Sequence, residues 1–419
     1  MERATKGDTL SQLNEAVTQK APKAFAPLLE NEVAPRKYTL SPSRQFFSSN
    51  VFLAVWSSRV EEVGEGVFPI GRSSVYLGAY SMDVARYYLD GNADVVEFCP
   101  HYPFHHILAA ATYTLEEGVQ PNRSGSISLF NVDDTLGMGL LHNLKTAGVF
   151  DMKWSPAGAN VHPLLAQADS DGCLKIHSLH SSSDTSEHGG VTLEDLGTEK
   201  VSSSMCLCLD WEPSATCVSV GASDGSISII TFRESQTQIS QQWQAHEFEL
   251  WTTSFDAHQP HLFYTGSDDC KFSCWDLRAS PKMVFQDKRT HKMGVCCITK
   301  SPSDSNKLLT GSYDEQLRIW DVRSPNKPIN ENSISLGGGV WRIKHHPFMP
   351  NVVLAACMHN GFVVVDVSSG NIGVLETYKK HESLAYGADW QRGELVATCS
   401  FYDKLVRIWK PESLGRVMK

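Results

Sequence analysis

"KFSCWDL" at 271–277 and "QLRIWDV" at 316–322 decide how this chain folds. Each is a short β-prone run closed by a Trp-Asp pair, Trp275-Asp276 and Trp320-Asp321, and the two tryptophans stand 45 residues apart. "FVVVDV" at 362–367 and "LVRIWK" at 405–410 continue the series. Upstream, "SISLFNV" at 126–132, "CLKIHSL" at 173–179 and "SISIITF" at 226–232 bring it to seven, with markers at Phe130, His177, Ile230, Trp275, Trp320, Val365 and Trp409. Two further apolar runs precede each marker. One ends at a proline or turn, as in "FDMKWSP" (150–156) and "VCCITKSP" (295–302). The next runs into a polar turn, as in "LFYTGSDD" (262–269) and "LLTGSYD" (308–314). Short strands, turns and a period of about 40–45 residues describe a four-stranded blade repeated around a ring. Radial closure leaves no long unprotected sheet edge.

The bulk numbers agree with one large closed all-β domain. The chain has 419 residues, 41% of them hydrophobic and 20% charged, with a formal charge of −10. An acidic surface is repelled by phosphate and by anionic lipid, so neither a nucleic-acid nor a membrane partner is expected. No apolar run is long enough to span a bilayer, and the N-terminus lacks a secretory pattern. Eleven cysteines fall within apparent strands, which reads as small reduced core residues in a cytoplasmic protein rather than a disulfide framework. No metal and no cofactor are expected, and the chain is expected to be a monomer.

From about residue 93 to 410 the sequence resembles the WD40 repeat family. The resemblance implies an all-β, seven-bladed WD40 β-propeller over residues 71–412, closed by a strand at 75–83. A polar, proline-broken stretch makes residues 1–70 a mobile N-terminal extension, with a C-terminal tail at 413–419 and a Ser-rich loop at 180–190. Six residues before each marker lies a turn column: Ser124, Asp171, Asp224, Asp269, Asp314, His359 and Asp403. In WD40 proteins that Asp commonly receives a hydrogen bond from a His in the preceding loop. Here the matching residues are His246, His291 and His381, so these three and Asp269, Asp314 and Asp403 are expected to be structural.

The sixth blade breaks both columns. Position 336 is Leu336 and position 359 is His359. His359 reads either as a loop residue in a degenerate blade or as an imidazole suited to general-base work. Gly337, Gly338 and Gly339 replace the His-bearing loop. They read either as a flexible turn or as a nest whose amides receive an anion. A further column, Trp251, Cys296, Trp341 and Tyr386, falls where the innermost strands begin. Its aromatics are either core or the rim of a binding site. Asp268, Tyr313, Tyr402 and Glu249 are expected on the same face, giving an acidic, aromatic mouth suited to a cation.

"WQAHEFELW", "HKMGVCCI", "GGGVWRIKHHPF", "LAACMHNGF", "YGADW" and "ATCSFYD" together look like the WD-repeat diphthine methyl ester hydrolases of diphthamide biosynthesis. The resemblance covers about Leu77 to Trp409 and is densest in the last four blades. It implies a carboxylic ester hydrolase acting on translation elongation factor 2. The substrate would be a modified histidine that bears a trimethylammonium group beside a methyl ester. No G-x-S-x-G elbow is present. The expected catalytic set is His359 activating water or orienting a nucleophile, with Gly338, Gly339 or Arg342 stabilising the oxyanion, and Cys357 as a thiol alternative to its reading as a core residue. The rival expectation is a non-catalytic scaffold. It could be an elongation factor 2 adaptor, or a substrate receptor of a cullin-based ubiquitin ligase contacting its adaptor through Arg278 and Arg323 of "WDLR" and "WDVR".

Overall fold

A computed structural model describes residues 82–414, except 119–121, 160–161, 182–189, 234–235 and 369. The chain divides into two units, Met1–Val75 and Tyr76–Lys419. The extension expected at 1–70, most of the Ser-rich loop and residues 415–419 lie outside the described residues.

Seven antiparallel sheets follow one another along the chain. Their innermost strands are Ala93–Phe98, Val149–Trp154, Cys206–Trp211, Leu250–Phe255, Val295–Lys300, Arg342–His345 and Ala385–Trp390, which number blades 1 to 7. Six blades draw all their strands from one continuous stretch. The seventh adds Met82–Tyr88 antiparallel to Leu405–Lys410, with Met82 opposite Lys410 and Tyr88 opposite Leu405. Within the described residues the closing strand is Met82–Tyr88. The strand expected at 75–83 overlaps the observed one only at Met82 and Asp83, and 75–81 lie outside the described residues. Chemistry fixes the register at Asp83. Its carboxylate accepts from Tyr378 Oη at 2.6 Å and Lys380 Nζ at 3.0 Å, and Tyr378 stacks flat on Trp409 at 4.2 Å. These contacts hold the N-terminal strand to the last two blades.

The core lies between neighbouring blades. Val95, Ile107, Ile127, Met152 and Leu165 pack blade 1 on blade 2, and Leu354, Phe362, Ala388, Val396 and Trp409 pack blade 6 on blade 7. Alternating strand residues supply both faces of each sheet, which is why the strands read as continuous apolar runs. All eleven cysteines are unpaired, and eight are buried.

Polar clasps tie the turns of blades 4, 5 and 7 to their blades. In blade 4, Trp275 Nε1 donates to Thr265 Oγ1 at 2.9 Å. His246 joins Thr265 through Nε2 at 2.8 Å and Asp269 through Nδ1 at 3.1 Å. Blade 5 repeats the Trp320–Thr310–His291 part, but Asp314 is taken by Arg318 at 2.7 and 2.9 Å rather than by His291. Blade 7 routes His381 to Asp403 through the Ser400 hydroxyl.

Burial opposes ionisation of Asp269, but the His246 bond and charge together with the Lys271 and Glu247 backbone N–H groups outweigh it and lower the carboxyl from 3.8 to about 2. A depressed native pKa stabilises the fold above the unfolded value, and that stability is lost as pH falls through the native one. Asp269→Asn is expected to flatten the acid limb of the stability curve between about pH 4 and pH 2, as read by urea melts at stepped pH.

Blade 6 lacks the Asp but not a clasp. Leu336 is buried with Val340, Ile343 and Cys357, and the Asn360 side-chain amide donates to the Leu336 carbonyl. One residue beyond the missing acid, an amide restores the link between loop and turn.

Candidate functional site

The mouth of the channel is built by a recurring backbone device. Five blades carry a β-bulge one residue into the innermost strand, at Asp94, Phe150, Trp251, Cys296 and Tyr386, and blade 3 repeats it at Leu207. Trp341 takes the same place in blade 6, just before its strand, with its amide donating to Ala356 O at 2.9 Å. A bulge frees one residue from the ladder and re-aims its side chain.

Trp251 of blade 4 and Trp341 of blade 6 approach to 5.5 Å between ring centroids with blade 5 between them, so they meet over the channel. Trp341 stacks on Tyr386 at 4.9 Å and tilts against Tyr313 at 5.9 Å. Phe401, Tyr113 and Phe150 continue the wall at centroid spacings of 5.3, 6.2 and 4.5 Å. Trp251 Nε1 donates to Asp268 Oδ1 at 3.3 Å. Burial raises the Asp268 carboxyl, the Trp251 bond opposes that rise, and Glu249 adds to it.

Beneath the aromatics the channel is charged. Arg342 Nη1 reaches Asp151 Oδ1 at 3.0 Å, joining blade 6 to blade 2 across the lumen. Deeper still, Lys344 bridges Glu97 and Asp389, and Lys153 pairs with Asp210 at 3.0 Å. Asp389, Asp151 and Asp210 also each accept a backbone N–H from the next blade, from Phe98, Leu209 and Phe255 respectively. Asp94, Glu97, Asp151, Asp210 and Asp389 face only Arg342, Lys153 and Lys344, so acid exceeds base in the lumen. Asp94 is 4% exposed. Burial pushes its carboxyl up to about 8, with Arg342 pulling it down and Asp151 pushing it up.

The structure gathers some of the expected site residues and separates others. Trp251, Trp341, Tyr386, Tyr313 and Asp268 converge at the mouth, with Glu249 close enough to act on Asp268. Tyr402 is half exposed and packs edge-on against Phe401 at 5.0 Å. His359 is exposed on the turn between the second and third strands of blade 6. Arg342 is engaged by Asp151 inside the channel rather than presented on the His359 turn. Cys357 is fully buried, and burial holds its thiol far above the usual range. A thiol so placed is a core residue and not a nucleophile.

The glycine loop is closely packed against the following turn. A Cβ on Gly338 would lie 2.2 Å from the Cys357 carbonyl oxygen, and one on Gly339 would lie 2.7 Å from Met358 Sδ. These glycines let the loop press on the protein's own turn. Gly338→Ala is expected to cost about 1–3 kcal/mol, read as a lower urea midpoint, because the opposing atom is backbone and cannot swing aside.

Asp94, Phe150, Tyr113 and Phe401 were not picked out from the sequence. A signal for the first two exists. Counting back six residues from Pro100, Pro156, Pro213, Pro302 and Pro347 lands on Asp94, Phe150, Leu207, Cys296 and Trp341.

Arg278 and Arg323 are exposed, and each is folded onto its own neighbour, Asp276 or Asp321. Among the described residues no His, Cys, Asp and Glu cluster could hold a metal, and no helix is long and apolar enough to cross a membrane.

Comparison with known proteins adds the following. The WD domain, G-beta repeat model matches 237–276 and 281–321. Each match starts on the outer strand of one blade and ends on the third strand of the next. A chain in the crystal structure of the mitotic checkpoint complex superposes with a TM-score of 0.61 at 18% identity, covering 85% of this chain and 99% of that one, a likeness of fold alone. A Dictyostelium discoideum protein named diphthine methyltransferase homolog is 32% identical, with 77% of this chain and 98% of that protein covered. The diphthine methyltransferase of Schizosaccharomyces pombe is 31% identical over 77% of this chain and 96% of its own. That of Mus musculus is 33% identical over 71% and 67%. These names overturn one expectation. The relatives are named for methyl transfer, which is a different reaction from the carboxylic ester hydrolysis expected from the resemblance.

Proposed function

Because this chain belongs to the family of proteins named diphthine methyltransferase, we propose that it takes part in diphthamide biosynthesis through methyl-group transfer chemistry at the diphthine side chain. The protein bearing that side chain is translation elongation factor 2, and the meeting place is the cytoplasm. The observation that carries the reading is the wall formed by Trp251, Trp341 and Tyr386 over an acid-rich lumen. Aromatic faces attract a quaternary ammonium through the ring quadrupole, and more strongly when water is excluded. A trimethylammonium group on a modified histidine has the charge and the apolar surface for such a wall. Asp268 and Glu249 at the rim add negative potential.

Within this reading the propeller supplies a rigid ring, the bulges aim the aromatics, and the charged plug below closes the floor. Asp94, whose carboxyl burial raises above the usual carboxylate range, is a group in the mouth able to exchange a proton as the substrate's charge arrives.

The test uses purified protein and elongation factor 2 whose modified histidine is isotopically labelled in its methyl groups. Mass spectrometry of the modified peptide should show a change in methyl count that depends on the protein. An unchanged count with intact wild-type protein would favour the scaffold reading.

A further inference from the structure

The end of the propeller away from the mouth carries a groove that the reading so far leaves unused. The mouth lies where the innermost strands begin, and this groove lies where three of them end, after Phe98, Trp154 and Trp390. It encloses about 550 Å³ between the loops that follow those strands in blades 1, 2 and 7. His101, His105, His162 and Arg392 line it, and no carboxylate does. On a chain of formal charge −10, a recess without an acid reverses the local sign. Pro100 and Pro103 stiffen its blade 1 wall, and Tyr102 stands on that wall with 86% of its surface exposed, edge-on to His105 at 6.2 Å.

The imidazoles are set to receive an anion. His101 Nε2 lies 2.9 Å from the Ser155 carbonyl oxygen, and His105 Nε2 lies 3.0 Å from that of Pro100. A carbonyl only accepts, so both neutral rings carry their proton on Nε2. A second proton goes to Nδ1, which in neither ring has a hydrogen-bond partner among the described residues. The Nε2 bond of His101 has a structural use, since His258 makes the same bond to the Ser301 carbonyl between blades 4 and 5 at 3.0 Å. That use does not account for the concentration of cationic groups. Burial holds the His101 ring below its ordinary value, the Ser155 carbonyl opposes this, and the charges of His105 and Arg392 add to it. From blade 2 the facing group is His162, whose ring tilts against His180 at 5.8 Å, and the Glu194 carboxylate is engaged with His180 at 3.2 Å.

We propose that this groove is a second docking surface, which takes an acidic, extended segment of a protein partner at the end of the propeller opposite the mouth. Carboxylates of the segment meet Arg392 and the Nδ1–H groups of the imidazoles, and an apolar residue of the segment packs on Tyr102 and Phe104. The incoming carboxylates supply the countercharge that the lining lacks. An anion favours the charged imidazole, so binding takes up protons and affinity rises as pH falls.

The probe is a fluorescently labelled peptide of glutamates around a single tryptophan, titrated with the full chain at low salt and read by anisotropy. It is expected to bind about tenfold more tightly at about pH 6 than at about pH 8, either side of the range in which an imidazole gains its charge. Arg392→Glu is expected to weaken binding about tenfold at both values. His105→Gln is expected to flatten the pH dependence. Arg392 is exposed and His105 is partly exposed, and thermal melts of both variants check that the fold is kept. The same peptide built from lysines should not bind. The proposal is overturned if Arg392→Glu binds the glutamate peptide as the wild type does, or if affinity is the same at the two pH values. It is equally overturned if the lysine peptide binds as well, or if phosphatidylserine vesicles bind more tightly than the glutamate peptide, since the groove would then select a lipid surface and not a protein segment.

Discussion

Trp341→Ala is expected to weaken binding of a trimethylammonium group by about 2 kcal/mol, a factor of about 30. Trp341 is the hub of the mouth, since it touches Trp251, Tyr313 and Tyr386. Its removal takes one aromatic face directly and releases two others from their orientation. The cost to folding should be smaller than for a core tryptophan, because the side chain is only half buried. Calorimetry with choline, paired with a thermal melt, separates the two effects. Trp390→Ala is the contrasting case. That residue is buried at the far end of the innermost strand of blade 7, with its indole N–H on the Lys344 carbonyl at 3.1 Å, and its loss should act on stability.

Arg342→Ala is expected to destabilise the propeller by about 3–5 kcal/mol. The guanidinium is the only described link from blade 6 to Asp151 of blade 2, and it also offsets Glu97 and Asp94. Without it three carboxyls share a buried lumen with less countercharge, and desolvation of an unpaired charge outweighs the modest value of the pair itself. Urea unfolding gives the magnitude. Asp151→Asn on the same background should recover part of the loss, because the orphaned charge is then gone. If the single variant melted like the wild type, the cross-channel contact would be incidental to stability.

The seven-fold architecture was legible because the last four markers stand 45, 45 and 44 residues apart and Trp-Asp pairs close two of the runs. The mouth was half legible. Trp251, Cys296, Trp341 and Tyr386 fall on a strict 45-residue grid, whereas blades 1 to 3 leave it. An extra short strand, Thr114–Glu116, precedes the third strand of blade 1, and the chain is lengthened around 182–189 in blade 2. Asp94 and Phe150 therefore escaped a search by spacing, although their offset from the strand-end prolines is the same.

Other features had no local signature at all. Arg342 and Asp151 are 191 residues apart, and only ring closure brings them together. In blade 6 the loss of His and Asp was visible, but its replacement by Asn360 was not, since an amide donating to a backbone carbonyl follows no column. The three glycines looked alike for ligand approach and for close packing. At Gly338 the close neighbour is the Cys357 carbonyl, a backbone atom the side-chain pattern does not reveal.

The most direct test compares two forms of elongation factor 2, one with its histidine at the diphthine stage and one with that histidine unmodified, for binding to wild-type protein and to Trp341→Ala. The wild type should prefer the modified form by an order of magnitude or more, about the value of one desolvated cation–π contact, and the variant should bind both forms alike. Equal binding of the two forms by the wild type, or an undiminished preference in the variant, would contradict the assignment of the aromatic mouth as the place where the modified side chain is held.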